Sequence, residues 1–466
     1  MKRIERMIAA GVAAAALLGQ AEPADGLVVE NARLRLAFSG GPVPALRELV
    51  RKPSGVNAIA DGGSPLFVLQ LLPTNGLPQQ VESSQAARGT AEALPDQTGG
   101  QRLRLTFEAF RAAAGLRVTL DGRLDADASY VRWSMTVENP ARLALQAVRF
   151  PYVKAASALG LPDDDFIVGP ALPGVIVENP ATNWPAGYSV AWKFPGNQSA
   201  QFCAYQDLAS GLYLASMDAA GHNRSLSAGK QKGALVLYQE YALSGAPEAT
   251  WSSPYETALG AAGGAWQDTA DIYKRWAVKQ AWCAQTLAQR DDIPDYWKAG
   301  PCIHTCEVRT YGADRLCSGS YYPQLADHMR TLRERLGGAP LVPMLPGWEN
   351  HRRWTAGAYF PLFDEAQAKA VLSQLGADGL RPFVYLSGLY YTYRNEGRDG
   401  GDVSGWEPHV GDFVVDAATG KPKTAVLDES APGKSGSVWR RHSYALCPAA
   451  PGTRAFFRET LDRLHG

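Results

Sequence analysis

Apolar residues recur at every second position through the first half of the chain. In LRLAF (Leu34, Leu36, Phe38), RLRLTF (Leu103, Leu105, Phe107) and YVRWSMTV (Val131, Trp133, Met135, Val137) they alternate with Arg, Ser and Thr. Successive side chains of a strand point to opposite faces, so this period predicts strands with one face buried and the other wet. Turn residues in FSGGP, DGGSP and ASGLY separate the segments, and no long helical period interrupts them from about Leu27 to Glu240. Many such strands in succession predict a large antiparallel sandwich, placed at residues 25–260.

The period then changes. GGAWQDTADIYKRWAVKQAW sets Trp266, Ala270, Tyr273, Trp276 and Ala277 on one helical face, and the charged AQRDDIPDYW follows. Residues 261–290 are therefore read as a connecting helix and linker, with the helix packed on the sandwich and a boundary near Asp291.

Beyond it, apolar runs alternate with amphipathic helices. AGPCIHTCEV, APLVPMLPGWE and LRPFVYLSGLYYT read as buried strands. YYPQLADHMRTLRERLGG carries Leu325, Met329, Leu332 and Leu336 on one helix face. DEAQAKAVLSQLG places Asp364 and Gln367 like a capping box, with Gly376 as the stop. After a long loop, PGTRAFFRETLDRLHG aligns Phe457, Leu461 and Leu464. Strands separated by helices predict parallel βαβ units. The expected fold is thus multidomain, β plus α/β: an N-terminal antiparallel β-supersandwich, then at residues 291–466 the first three βα units of an incomplete (β/α)8 TIM-type barrel. A complete barrel takes roughly 250 residues, so about five further units are expected beyond Gly466. A complete three-stranded α/β domain is the alternative, and it would leave apolar sheet edges unpaired.

Composition narrows the function classes. The chain has 466 residues, with 46 Lys plus Arg against 46 Asp plus Glu, so no net field favours nucleic acid or an anionic membrane. The 12 Trp and 19 Tyr suit a chain that fills cores and faces sugars. The start, MKRIERMIAAGVAAAALLGQAEPADG, has Lys2, Arg3 and Arg6 before an apolar run from Met7 to Leu18, then the small residues Gly19 and Ala21. That run falls short of the roughly 20 residues a membrane span needs, so residues 1–21 read as a signal peptide rather than an anchor. The expected location is outside the cytoplasm, periplasmic or extracellular, with no stable membrane insertion after cleavage.

In a (β/α)8 barrel, ligands meet the loops at the C-terminal ends of the strands. That rule selects Glu307 after the first strand, with Cys306 and Arg309 beside it. It selects Trp348, Glu349 and His351 after the second, and Tyr391 and Arg394 after the third. The following loop adds His442. Aromatic faces stack on sugar C–H surfaces while Arg, Glu and His bond hydroxyls, so the expected partner is a carbohydrate. Glu349 is expected to position substrate. Each residue also has a structural reading: Trp348 as a cap on the barrel, Glu349 in a salt bridge with Arg352 or Arg353. Cys302, His304 and Cys306 share one face of a strand and could hold zinc; a Cys306–Cys317 disulfide or plain core packing is preferred, and no metal or cofactor is expected. Neither a phosphate-cradling glycine motif, G-x-S-x-G nor HEXXH occurs.

Four segments also carry a family likeness. LVVENARLRLAFSGG with LRELVRKPSGVN resembles the opening hairpin of galactose mutarotase-like supersandwich domains. SGLYLASMDAAGHNRS, IPDYWKAGP and SYALCPAAPGTRAFFRETL resemble later parts of exported bacterial proteins of unknown function that carry a glycoside-hydrolase-like barrel behind a β-sandwich. The resemblance implies a glycoside hydrolase acting on a poly- or oligosaccharide. It also implies a nucleophilic carboxylate after strand four and an acid/base carboxylate later, about 5–5.5 Å apart for a retaining enzyme. Both are expected beyond Gly466, so no catalytic residue is assigned and the fragment is expected to be inactive. A non-catalytic carbohydrate-binding or surface protein is the alternative.

Overall fold

The computed structural model describes residues 26–465 except 73–76, 97–98, 162, 232, 244, 312–316, 350–355, 387, 398–400, 417–418 and 431–436. The leader expected at 1–21, the site residue His351 and the last residue, Gly466, lie outside the described residues. The chain divides into two compact units, Met1–Ala284 and Gln285–Gly466.

The first unit is antiparallel β. Strands Val28–Glu30, Leu34–Phe38 and Leu46–Arg51 form a small sheet. A six-stranded sheet centres on Ala144–Ala155, flanked by Ala234–Ala242 and Val68–Leu72. A ten-stranded sheet runs from Val175–Glu178 to Arg88–Leu94 through Gly211–Ser216, Thr257–Ala261 and Tyr130–Glu138. The alternating positions are the enclosed ones: Leu34, Leu36, Phe38, Leu103, Leu105, Phe107, Val131, Trp133, Met135 and Val137 are all buried. One core draws on all three sheets, with Trp133 edge-on to Phe38 and to Phe150.

Three central strands depart from one-sided burial. Phe202–Gln206, Gly211–Ser216 and Thr257–Ala261 are buried along their whole length. Helix Trp266–Ala277 covers their second face, where Ile272 joins a cluster with Phe202, Tyr213, Ala215 and Ala258. The packed face is therefore Thr269, Ile272 and Tyr273, whereas Trp266, expected on it, is exposed. Polar bonding sets this rotation. The Thr269 hydroxyl bonds Gln206 Oε1, and Gln206 Nε2 donates to the Gly264 carbonyl at 2.8 Å. A purely apolar count misses that anchor.

The second unit opens with parallel strands in the order Cys302–Thr305, Leu341–Leu345, Phe383–Val384. Helices Tyr322–Arg335 and Glu365–Ala377 connect them. Tyr322, Leu325, Ala326 and Met329 turn inward, while Leu336 lies past the helix end and is exposed. The capping box expected at Asp364 does not form. Asp364 takes a left-handed conformation, and Gln367 bonds its carboxylate instead of its backbone N–H.

The third strand is a clear correction. Of LRPFVYLSGLYYT only Phe383–Val384 joins the parallel sheet. Gly388, at φ +79°, turns the chain, and Tyr390–Gly397 enters a separate antiparallel sheet with Gly401–Asp402, Ser437–Ala445 and Thr424–Ser430. The expected long loop thus carries three of that sheet's strands. Among the described residues the sheet's buried positions are Tyr391, Thr392, Asn395, Arg441 and Ser443; only Tyr391 is aromatic or apolar, so no apolar alternation announces it. In the closing helix Pro451–His465, Leu461 is exposed and Phe456 packs inward with Phe457. Among the described residues no helix is long and apolar enough to cross a membrane.

Candidate functional site

The two leading parallel strands keep their pairing past their ends. Cys306 N donates to the Met344 carbonyl at 2.9 Å and Val308 N to the Pro346 carbonyl at 3.1 Å. Alternation then sends Cys306 and Val308 to one side and Glu307 and Arg309 to the other. Cys306 and Val308 sit in the apolar core of this unit. All six cysteines are free, so the Cys306–Cys317 disulfide is not formed and Cys306 is a core residue.

Glu349 follows the second strand and is wholly enclosed. Arg309 Nη2 donates to its backbone carbonyl at 2.8 Å and lies 3.5 Å from its Oε2, with both side chains out of contact with water. A second guanidinium completes the setting. Burial pushes Arg441 below its ordinary value, and the Glu349 carboxylate is the first influence holding it up. Among the described residues Glu349 pairs with Arg309; Arg352 and Arg353, its expected partners, lie outside them.

Glu307 differs. Its Oε1 is buried without a hydrogen-bond partner among the described residues. Burial pushes its carboxyl above the usual carboxylate range, and Arg309 pulls it partly back. Gly347, at φ +77°, lies directly against this oxygen, and a Cβ there would overlap it. Glycine is needed at that position both for its backbone and for space. Nearby, burial pushes the Tyr311 hydroxyl up to about 12 and the Tyr322 hydroxyl well up.

Trp348 is buried, stacks on Tyr359 with centroids 5.1 Å apart, and donates from Nε1 to the Tyr385 carbonyl at 2.8 Å. It is part of the apolar core of this unit. Tyr391 is likewise buried, against Phe456, His409 and the backbone of Gly357.

Arg394 and His442 form a distinct group. They are register partners in the antiparallel sheet, and both approach Glu396 Oε1 at 3.1 Å. Because neighbours in a strand alternate, His442 faces away from the side on which Arg441 reaches Glu349. The structure thus brings Glu307 and Glu349 to Arg309, leaves Trp348 in the apolar core, and sets Arg394 and His442 on another face.

Arg441 and Tyr359 were not among the expected residues. The RRH run gave the one available signal for Arg441: with His442 chosen, its neighbour must serve the opposite face.

Chemically, the cluster is a carboxylate fixed beside guanidinium groups, next to a second carboxylate with an unused acceptor. An enclosed acceptor of this kind bonds hydroxyls or amides and discriminates against groups that cannot donate. Glu349 is fixed in place and has no water-accessible oxygen to offer as a nucleophile.

Residues 251–407 match a domain of unknown function, DUF6259. No curated protein matches the chain. Among solved structures, the chain resembles the α-N-acetylgalactosaminidase NagBb of Bifidobacterium bifidum in its GalNAc complex. The TM-score is 0.61 at 14% identity, covering 94% of this chain and 67% of that one. The ligand-free form gives 0.61 at 16% identity, covering 94% and 68%. The α-galactosidase AgaB of Geobacillus stearothermophilus scores 0.46 at 10% identity, covering 96% and 64%. At these identities the NagBb likeness is one of fold: a glycoside-hydrolase-like architecture over nearly the whole chain.

Proposed function

We propose that the protein is an exported glycoside hydrolase acting on a poly- or oligosaccharide, and that the described site positions the sugar. In this reading the parallel strands are the first three of a (β/α)8 barrel, and Glu307 lies at its ligand-binding rim. The observation that carries it is the unpartnered Glu307 oxygen beside the enclosed Arg309–Glu349 pair, on a glycoside-hydrolase-like fold. Glu307 accepts from a sugar hydroxyl or acetamido N–H. Glu349, Arg309 and Arg441 hold that acceptor in place, Trp348 and Tyr391 support the walls, and Arg394 with His442 serve a more distant part of a chain-like substrate. The bond-breaking carboxylates are not assigned among the described residues. NagBb is an α-N-acetylgalactosaminidase, so sugars ending in α-linked N-acetylgalactosamine or galactose are the first to try.

The enclosure of Glu349 favours one rival, a carbohydrate-binding protein without turnover. Incubating protein expressed from its whole reading frame with such oligosaccharides and measuring released monosaccharide separates the two. Release supports the hydrolase, whereas sugar retained but unchanged supports the binder. Export is checked by N-terminal sequencing of protein recovered outside the cytoplasm, where cleavage after Ala21 is expected.

A further inference from the structure

A second cluster lies on the other side of the first parallel strand, away from Glu307. His304 and Cys306, two residues apart, share the face that meets helix Tyr322–Arg335, and that helix delivers His328 to them. One donor atom from each of the three lies within 4.8 Å of the others. The imidazoles meet edge-on with centroids 5.2 Å apart, and Nδ1 of His328 is 2.9 Å from the Tyr321 hydroxyl. Cys302, which the sequence grouped with His304 and Cys306, is exposed and is not a member.

We infer that His304, Cys306 and His328 form a binding site for a zinc-class divalent ion that staples the first strand to its helix. Two features support this. A thiolate with two imidazoles is a borderline-soft donor set, suited to Zn²⁺ or Co²⁺ and unsuited to Mg²⁺ or Ca²⁺. The Tyr321 hydroxyl fixes the His328 ring from outside the donor set, as partners of metal-bound imidazoles do. His304 and His328 are only partly buried, so water can fill the fourth tetrahedral position. Binding forms a sulfur–metal bond and releases the Cys306 thiol proton to solvent, leaving the oxidation states unchanged. Cys306 directly precedes Glu307, so the ion would hold the acceptor's backbone from behind.

The test uses the purified full chain, stripped with a chelator and titrated with Co²⁺. The expected result is a near-ultraviolet thiolate-to-metal band with intense four-coordinate visible bands, saturating at one equivalent and bleached by Zn²⁺. Cys306→Ser should remove the thiolate band, and His328→Gln should abolish one-equivalent saturation. Tyr321→Phe, which leaves every donor in place, should weaken Co²⁺ binding about 10-fold or more. Cys302→Ser should leave the spectrum unchanged. Circular dichroism of the metal-free variants confirms that each is folded. A thiolate band that survives in Cys306→Ser, vanishes in Cys302→Ser, or never forms in the parent protein overturns the site.

Discussion

Glu307 and Glu349 are carboxylates at matching strand ends, yet their surroundings give them different work. Glu349 is enclosed with Arg309, so removing the guanidinium strands a charge in a medium that solvates it poorly. Arg309→Leu is expected to destabilise the second unit by about 3–5 kcal/mol, and Arg309→Leu with Glu349→Leu by less than that single change. Denaturant titration of both variants checks this. Asp165 in the first unit gives a pH prediction. It is buried, accepts from the Tyr205 hydroxyl at 2.7 Å, and has Asp164 and Asp207 nearby. Burial raises its proton affinity above that of an unfolded-chain carboxyl, whose ordinary value is about 4. The folded state therefore binds the proton more tightly, and the contribution is fully present below about pH 4 and lost as pH rises through the raised value. Asp165→Asn still accepts from Tyr205 and should flatten the fall in melting temperature from pH 4 to 7. An unchanged slope would refute the assignment.

The elements show what sequence periodicity can and cannot reveal. Strands whose inner face is apolar, such as Tyr130–Glu138, were legible because Val131, Trp133, Met135 and Val137 repeat at the pleat. The parallel strands Cys302–Thr305 and Leu341–Leu345 were legible as short runs between amphipathic helices, but only the second is buried as expected; Cys302–Thr305 is mostly exposed. The antiparallel sheet containing Tyr390–Gly397 and Ser437–Ala445 was not, because apart from Tyr391 its described enclosed side chains are Thr, Asn, Arg and Ser. Burial there is satisfied by hydrogen bonds and charge, which leave no hydropathy signal. Helix Trp266–Ala277 was found and Ala270 and Tyr273 of its expected face pack, but Trp266 does not, and the buried Thr269 and Ile272 were missed. The rotation is testable. Ile272→Ala should cost about 2–5 kcal/mol, while Trp266→Ala, on the exposed side, should stay within about 0.5 kcal/mol. Equal costs would contradict the packing. At the site, Glu307 and Glu349 were reachable from strand ends alone. The contacts of Arg441 and His328 required knowing which distant elements lie alongside, which one sequence does not show.

In the molecule as a whole, two cores of different construction share one polypeptide: a large antiparallel sandwich and a smaller α/β unit. The stretch following helix Trp266–Ala277 is mostly exposed through Gly300, with Lys279 and Arg290 on the surface. Limited trypsin digestion should cut there first and release a resistant sandwich fragment, identified by mass. A first cut inside the sandwich strands would contradict the division. The likeness to NagBb supplies a fold, and the chemistry of the site has to supply the function. The most direct measurement is a calorimetric titration of the protein with oligosaccharides ending in α-linked N-acetylgalactosamine or galactose, repeated with Glu307→Gln. The expected result is saturable one-to-one binding that weakens at least about 10-fold in the variant, with melting temperature held or raised because a buried acid oxygen without a partner has been neutralised. Saturable binding that is the same in Glu307→Gln, or no binding by the parent protein, would contradict a sugar-positioning role for this site.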